Sequence, residues 1–406
     1  MRTSIADLEK KRAGKSSRIL LTGGTGFLGS HIAVKLIQAG YRVYLLARGD
    51  RGLSAGERVA RLLDWHGVGA KPRQNLRVVE GTIERPDLGL EAGRREVLLG
   101  NIDEIIHAAS NTSFAERKRP AVEAANIGGL RNMLDFAVQS RCFFFHYLST
   151  AYAAGRKIGL CREDLVESGE FTNPYEETKA RGEKIAFDRC RSEGIRLNIY
   201  RPTIVYGDSW TGRSLRFNAV YYPVKTAVFL KNLYEADIRE RGGKKAGLLG
   251  IRMEDDGRLH MPLRLELGPE GGINLIPVNY FTEAFIALME ECPGGGIFHI
   301  ANSRPKRIED IIEYAKTLFR LQGVESCRAE DFLVRPKNAL EILFASYLEA
   351  YAPYMRDPRL FDLTKSGAVL ERKHFVCPEF NYEIFAKCMN YAVEVDWGAK
   401  LFPKPN

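Results

Sequence analysis

The sequence predicts an α/β fold built on a doubly wound parallel sheet, and two observations carry that prediction. In the first half of the chain, short apolar runs alternate with amphipathic stretches, which is the pattern of right-handed βαβ units. The glycine-rich segment Thr22–Gly29 (TGGTGFLG) ends the first apolar run and opens the first amphipathic stretch. A strand, a glycine turn and a helix in that order begin a sheet of Rossmann type, which binds dinucleotides.

The remaining elements follow the same alternation. The apolar runs predict buried strands at Arg18–Thr22, Arg42–Ala47, Leu76–Glu80, Ile102–Ala108, Phe143–Ser149 and Arg196–Arg201. The amphipathic stretches predict helices at Phe27–Ala39, Ala55–Trp65, Ala121–Gln139 and Pro174–Arg191. After about Tyr206, clusters of Gly, Pro and charge interrupt the pattern, which resumes in β-α units at Asn274–Glu291 and Ile297–Phe319.

This organisation predicts two domains and a short extension. We expect a basic N-terminal extension at 1–17, a Rossmann domain at 18–206 to which strands and helices of 274–320 return, and a smaller, mainly C-terminal substrate-binding lobe at 207–273 and 321–406.

Composition excludes several classes of protein. With 45% hydrophobic and 27% charged residues in 406, the chain is neither disordered, collagen-like nor a coiled coil. The net charge of +9 is modest, so we expect no nucleic-acid partner. The seven cysteines are scattered without a CxxC pair, which indicates neither a disulfide framework nor a zinc site and favours a cytoplasmic setting.

Membrane insertion is not expected. Residues 1–18 are polar and basic, unlike a signal peptide, and the apolar stretch Phe217–Tyr234 is interrupted by Lys225 and Lys231. Residues 215–234 leave three interpretations open: an acyl channel, a peripheral membrane contact, or ordinary packing of the lobe, which is favoured. The oligomeric state is not predicted.

The glycine turn predicts the binding site of a dinucleotide. Gly23 permits the tight turn, Gly26 lets the backbone approach the pyrophosphate, and Gly29 allows the helix to pack close to the strand. The helix N-terminus then supplies amides for the phosphates. Residues of this segment expected to bind the cofactor are Gly23, Thr25, Gly26, Phe27, Leu28 and Gly29.

Arg48 predicts which dinucleotide binds. It ends the second strand, where a protein that binds NAD usually carries a carboxylate for the ribose hydroxyls. An arginine suits a 2′-phosphate instead, so NADPH is favoured over NADH. Arg51 and Arg58 are expected to assist, while Asp50 lies close enough to compete.

Thr150, Tyr175 and Lys179 are the candidate catalytic residues. Asn173 caps a helix that starts with Pro174, so Tyr175 and Lys179 are four residues apart on one helix face. We expect the ammonium to lower the pKa of the phenol towards neutrality, which prepares it to protonate a carbonyl oxygen while hydride arrives from a nicotinamide. Thr150 follows a strand and is expected to hydrogen-bond the same oxygen.

Further cofactor contacts are expected at the ends of other strands. His107 is predicted to be a core histidine, and Asn126 a structural amide or a ligand of water near the site. Tyr175 and Lys179 are also expected to contact the nicotinamide ribose. The other expected contacts are Ala108, Ala109, Pro202, Thr203 and Val205.

Taken together, these motifs resemble the extended short-chain dehydrogenase/reductase superfamily, and within it the fatty acyl-CoA reductase and thioester reductase branch (the "male sterility" NAD-binding family). The phrases that carry the resemblance are TGGTGFLG, LLARG, LSTAYAAG (Leu148–Gly155), NPYEETKARGEK (Asn173–Lys184), YRPTIVYGDSWTG (Tyr200–Gly212), FDLTKSGAVLER and PEFNYEIFAKCMNYAVEVDW. The resemblance covers about residues 18–400 and is strongest up to Gly212. One departure is Thr82, where superfamily members usually have an aspartate facing the adenine.

The resemblance implies reduction of an acyl thioester, carried by CoA or an acyl carrier, to an aldehyde and in some members onward to an alcohol. It assigns the nicotinamide chemistry to Thr150, Tyr175 and Lys179, and NADPH binding to Arg48. An NAD(P)-dependent dehydrogenase of a keto or hydroxy lipid or a steroid-like substrate is the alternative. A nucleotide-sugar epimerase or dehydratase is disfavoured, because those enzymes usually retain NAD, and a non-enzymatic cofactor-binding protein remains the last class.

Overall fold

A computed structural model describes residues 5–50, 52–166, 169–268 and 272–402, and the chain divides into two compact units. The first unit runs to Thr203 and includes Val278–Ala301 and Leu360–Cys377. The second contains Ile204–Pro277, Asn302–Arg359 and the residues from Pro378 on. Arg51, which was expected to assist Arg48, lies outside the described residues.

The strands and helices are numbered in chain order. The strands are β1 (Arg18–Thr22), β2 (Arg42–Ala47), β3 (Leu76–Glu80), β4 (Glu104–His107), β5 (Phe144–Leu148), β6 (Gly159–Cys161), β7 (Arg196–Pro202), β8 (Ile204–Tyr206), β9 (Arg252–Met253), β10 (Leu259–Glu266), β11 (Gly272–Ile273), β12 (Leu275–Pro277), β13 (Gly296–Ile300), β14 (Lys306–Arg307), β15 (Leu321–Cys327) and β16 (Arg359–Phe361). The helices are α1 (Ile5–Ala13), α2 (Phe27–Gln38), α3 (Ala55–Trp65), α4 (Ala70–Arg73), α5 (Ala92–Leu99), α6 (Arg119–Glu123), α7 (Gly129–Ser140), α8 (Pro174–Glu193), α9 (Tyr221–Arg241), α10 (Lys244–Leu248), α11 (Val278–Glu291), α12 (Ile308–Phe319), α13 (Asp331–Val334), α14 (Ala339–Leu348), α15 (Thr364–Arg372) and α16 (Tyr382–Glu394).

The first unit is built on a seven-stranded sheet in the order β13-β7-β5-β4-β1-β2-β3. Every pair of neighbouring strands in it is parallel. The strand order reverses between β1 and β4, and ligands of such sheets bind outside the carboxyl ends of the strands at this switch point. The predicted doubly wound α/β fold is therefore confirmed.

The two units divide the chain differently from the predicted domains. Residues 274–277 and 302–320, expected to return to the Rossmann domain, belong to the second unit, whereas α1 and Leu360–Cys377 belong to the first. In α1, part of the expected N-terminal extension, Arg12 is buried against Glu104. Leu360–Cys377, expected in the lobe, is held to this unit by Glu163, whose buried carboxylate accepts hydrogen bonds from the backbone amides of Lys365 and Ser366 at the start of α15. The partners lie far apart in sequence, so local patterns do not reveal them.

The second unit has its own small sheets and its own core. β10 pairs with β15 and β9, and β8 pairs in parallel with β12. Its cores include Val224, Val228 and Leu230 of α9, whereas Phe229 and Leu233 on the same helix are exposed. Much of the apolar stretch 215–234 is thus ordinary packing within this unit. Within the described ranges, no helix combines the length and apolarity that crossing a bilayer requires.

Candidate active site

The glycine turn lies at the carboxyl end of β1, beside the end of β4. Gly23 has a φ of +75°, and a Cβ there would lie 2.5 Å from the carbonyl carbon of Ala108. A Cβ on Gly29 would overlap the carbonyl oxygen of Gly23. Only glycine therefore fits at both positions without displacing backbone, which is the tight strand-to-helix packing that the sequence predicted.

The N-terminus of α2 emerges from this turn with its first amides available. Gly26 is the N-cap residue and provides no side-chain acceptor for those amides, while its own amide closes the turn on the Gly23 carbonyl at 2.9 Å. Thr25, Phe27 and Leu28 are partly exposed along the same segment. The first amides of a helix have no partner inside it, so this cradle fits the pyrophosphate of a dinucleotide.

Ala108 and Ala109 extend the cradle from β4. Their amides bond to the backbone oxygen and to the hydroxyl of Thr22 at 3.2 and 3.3 Å respectively. The same hydroxyl lies 2.9 Å from Nδ1 of His107, which is buried. Burial and the nearby charge of Lys179 lower the pKa of His107 to about 3, so the ring is neutral at physiological pH.

Arg48 is exposed just beyond the end of β2. Its Nη1 lies 3.2 Å from Oε1 of Glu84, and its carbonyl oxygen accepts a hydrogen bond of 2.5 Å from Nη1 of Arg58. Two guanidinium-bearing residues therefore meet where β2 ends.

Thr150, Tyr175 and Lys179 meet at the carboxyl end of β5. Asn173 caps α8 by accepting a hydrogen bond from the amide of Glu176 at 3.0 Å, which fixes the start of the helix that carries both Tyr175 and Lys179. Nζ of Lys179 donates to the carbonyl of Leu148, the last residue of β5, at 2.7 Å. A side-chain hydrogen bond joins Thr150 to Tyr175.

The electrostatics of Tyr175 differ from the expectation. Burial raises the pKa of its phenol to about 12, although the hydrogen bond with Thr150 opposes that rise. Burial also lowers the pKa of Lys179 to about 7, opposed by the charge of Glu183. The predicted lowering of the Tyr175 pKa towards neutrality is therefore wrong for this state of the protein, and the phenol is protonated at neutral pH.

Two buried networks position these residues, and Asn126 belongs to the first as a structural amide, one of the two roles expected for it. Asn126, in a π-helical turn, donates to the hydroxyl of Thr178 at 2.9 Å and accepts from the amide of Asn111 at 2.7 Å. The hydroxyl of Ser149 donates to Glu183 at 2.5 Å, and Glu183 forms a buried ion pair with Arg201. Because Thr178 and Glu183 both belong to α8, the two networks fix the helix that carries Tyr175 and Lys179.

The remaining predicted contacts fall in different units. Pro202 ends β7, and the amide of Thr203 donates to the carbonyl of Ile300 at 3.1 Å, so both belong to the first unit. Val205 lies on β8 of the second unit, opposite Ile276.

Comparison with known proteins identifies the family. The model of the male sterility protein family matches residues 21–247, which is more than half of the chain. The chain belongs to this family. The family is the fatty acyl reductase-like branch of the extended short-chain dehydrogenases/reductases, which are NAD(P)-dependent oxidoreductases, so the predicted resemblance is confirmed.

Curated relatives of this male sterility family member include two kinds of protein. It is 24% identical over 390 residues to a component of the linear gramicidin synthase of Brevibacillus parabrevis, covering 92% of this chain and 7% of that protein. It is 30% identical over 202 residues to fatty acyl-CoA reductase wat of Drosophila melanogaster, covering 48% of this chain and 37% of that protein. The chain thus spans well under half of the length of either relative.

Solved structures share the fold. The terminal R domain of the myxalamid PKS-NRPS pathway matches with a TM-score of 0.73 at 22% identity, covering 94% of this chain and 91% of that one. UDP-glucuronic acid 4-epimerase of Bacillus cereus in complex with NAD matches with a TM-score of 0.62 at 17% identity, covering 94% and 98%. The family and the glycine cradle agree on a nicotinamide dinucleotide as the cofactor.

Proposed function

We propose that this chain reduces an acyl thioester, bound to CoA or to an acyl carrier, to an aldehyde with NADPH. The observation that carries the proposal is the cluster of Thr150, Tyr175 and Lys179 at the end of β5, in the same unit as the glycine cradle. The family supports it, since the relatives include proteins named fatty acyl-CoA reductase. Arg48 supports NADPH over NADH because a guanidinium suits a 2′-phosphate.

The reaction needs a stabilised oxyanion and a leaving thiolate. When bound at the glycine cradle, a reduced nicotinamide would supply the hydride for the carbonyl carbon of the thioester. The hydroxyls of Thr150 and Tyr175 donate hydrogen bonds to the carbonyl oxygen, whose negative charge grows as hydride adds. The oxyanion of the tetrahedral adduct then re-forms the carbonyl as the C–S bond breaks, the thiolate leaves and takes up a proton from water, and the aldehyde is released.

A raised pKa suits Tyr175 for this role. A phenol with a pKa of about 12 stays protonated at neutral pH and can donate its hydrogen bond throughout the reaction. Nζ of Lys179 donates to the Leu148 carbonyl at 2.7 Å, and an ammonium has further donors that a ribose hydroxyl could accept. We therefore assign orientation of the nicotinamide ribose to Lys179.

The test follows three quantities in one reaction. Purified protein with a long-chain acyl-CoA is expected to oxidise NADPH, release free thiol and form aldehyde in equal amounts, with much slower turnover on NADH. Tyr175→Phe is expected to reduce turnover by about 10²–10⁴-fold while NADPH still binds, because only the hydroxyl is removed. NADPH oxidation with a ketone but without thiol release would instead support the alternative dehydrogenase, and wild-type turnover in Tyr175→Phe would contradict the assigned role.

A further inference from the structure

The carboxyl end of β2 carries both signs of charge. Arg48 and Arg58 meet there, and the carboxylates of Glu80 and Glu84 lie nearby. A Cβ on Gly49, the residue after Arg48, would lie 3.2 Å from Oε1 of Glu80. Of these two carboxylates, Glu84 pairs with the guanidinium that the proposed function assigns to the 2′-phosphate, while Glu80 lies near the backbone of Gly49.

Glu84 is the carboxylate that engages Arg48 directly. The ion pair measures 3.2 Å, with the two side chains 67% and 50% exposed. The backbone amide of Glu84 donates to the hydroxyl of Thr82 at 3.2 Å, which sets the loop from which Glu84 reaches Arg48.

A 2′-phosphate on the ribose and the carboxylate of Glu84 compete for the same guanidinium. Each can accept hydrogen bonds from Arg48, and the two anions repel each other at short range. A ribose that carries a hydroxyl in place of the phosphate avoids this repulsion. The carboxylate thus weakens binding of the phosphorylated nucleotide selectively.

We propose that Glu84 is a specificity-determining residue, which holds Arg48 and limits the preference of the site for NADPH over NADH. The proposal rests on the proposed function and deepens it. From the sequence, discrimination between NADPH and NADH was expected of Arg48, and the proposal extends this role to Glu84 in the loop after β3.

The test uses two nucleotides that differ only in the 2′-phosphate. Adenosine 2′,5′-bisphosphate and 5′-AMP are titrated into the intact protein by calorimetry, so no turnover is needed. Glu84→Gln is expected to tighten binding of the bisphosphate about two- to fivefold, the range for loss of one exposed ion pair, and to leave 5′-AMP unchanged. The gain is expected to shrink at high salt, because the groups are exposed.

Two controls separate this role from a general change of charge. Glu91→Gln makes the same charge change at an 86% exposed side chain that pairs only loosely with Arg94, at 3.9 Å, and is expected to leave both affinities unchanged. In an Arg48→Gln background, the effect of Glu84→Gln on the bisphosphate is expected to fall, since Glu84 acts through Arg48.

The outcomes distinguish the two proposals. If the wild-type protein binds neither nucleotide, the proposed function and this inference both fail. If it binds the bisphosphate but Glu84→Gln has no effect, affects 5′-AMP equally or matches Glu91→Gln, the inference alone is overturned. An undiminished effect in the Arg48→Gln background also overturns it.

Discussion

Replacing Arg12 with methionine tests how strongly α1 is tied to the first unit. The guanidinium lies 2.5 Å from Oε2 of Glu104 and 2.5 Å from the carbonyl oxygen of Met289, with the side chains of Arg12 and Glu104 only 4% and 0% exposed. Removing one partner of a buried pair leaves the other charge uncompensated, which costs about 3–5 kcal/mol. His146 keeps a contact of 3.1 Å to Glu104, so we expect the lower end of that range for Arg12→Met.

The loss of unfolding free energy in Arg12→Met is expected to depend on pH. Burial alone would raise the pKa of Glu104, but the hydrogen bond from His146 and the charge of Arg12 lower it to about 2. A carboxylate with a lowered folded pKa stabilises the protein fully above its unfolded pKa of about 4.3, and that contribution is lost only as pH falls towards the folded value. In Arg12→Met, burial raises the pKa of Glu104, so the folded protein takes up a proton there and loses the uncompensated charge as the pH falls. The loss of unfolding free energy relative to wild type should therefore shrink as the pH falls from about 8 to about 5.

Urea unfolding followed by circular dichroism measures both effects, from the midpoint at an unchanged slope. Lys11→Met is the matched control, because Lys11 pairs with Asp103 at 2.7 Å but is 34% exposed, and Arg18 also binds Asp103. It should cost at most about 1 kcal/mol. If Arg12→Met unfolds at the same midpoint as Lys11→Met, or if its deficit is independent of pH, the reasoning about the buried pair is refuted.

Two further predictions concern the cradle and the lysine. Gly29→Ala should weaken NADPH binding at least about tenfold in a fluorescence titration, because the new Cβ would overlap the Gly23 carbonyl oxygen. Gly93→Ala is the control and should leave binding intact, since a Cβ there meets nothing within 4 Å. Equal affinities of the two variants would contradict the assignment of the cradle. Burial lowers the pKa of Lys179 to about 7, so between about pH 7 and about pH 10.4 only the unfolded lysine is protonated. The free energy of unfolding should therefore rise with pH in this range, and Lys179→Met should flatten that rise. The same slope in both proteins would argue against the lowered pKa.

Local sequence signals were sufficient to predict the strands of the sheet and the glycine turn. The bounds predicted for β1, β2 and β3 match the structure, because each run is ended by a turn signal. The expectation that β3 is buried is wrong, since this strand lies at the edge of the sheet and none of its residues is buried. The turn could be predicted because Gly26 and Gly29 both lie against the carbonyl oxygen of Gly23, within the same βα unit. The helix cap at Asn173 and the spacing of Tyr175 and Lys179 are equally local.

Features that depend on distant contacts could not be predicted. The Arg12–Glu104 pair joins residues 92 positions apart, so a basic N-terminal segment gave no sign of burial. The contact between Glu163 and Lys365 spans 202 positions, which is why Leu360–Cys377 was expected in the lobe. The spacing of Tyr175 and Lys179 predicted a mutual charge effect, but the pKa of each group is governed first by burial, which a helical spacing does not report.

The central claim is that Thr150 and Tyr175 receive a thioester carbonyl beside a nicotinamide bound at the glycine cradle. Isotope transfer tests it most directly, using NADPH deuterated at the transferable position of the nicotinamide and a long-chain acyl-CoA. Free thiol is measured first, and the aldehyde is then trapped with 2,4-dinitrophenylhydrazine after an acid quench. The account predicts one deuterium on the former carbonyl carbon of the trapped product, together with one free thiol for each NADPH consumed. Product without deuterium, or NADPH consumed with no thiol released, would contradict it.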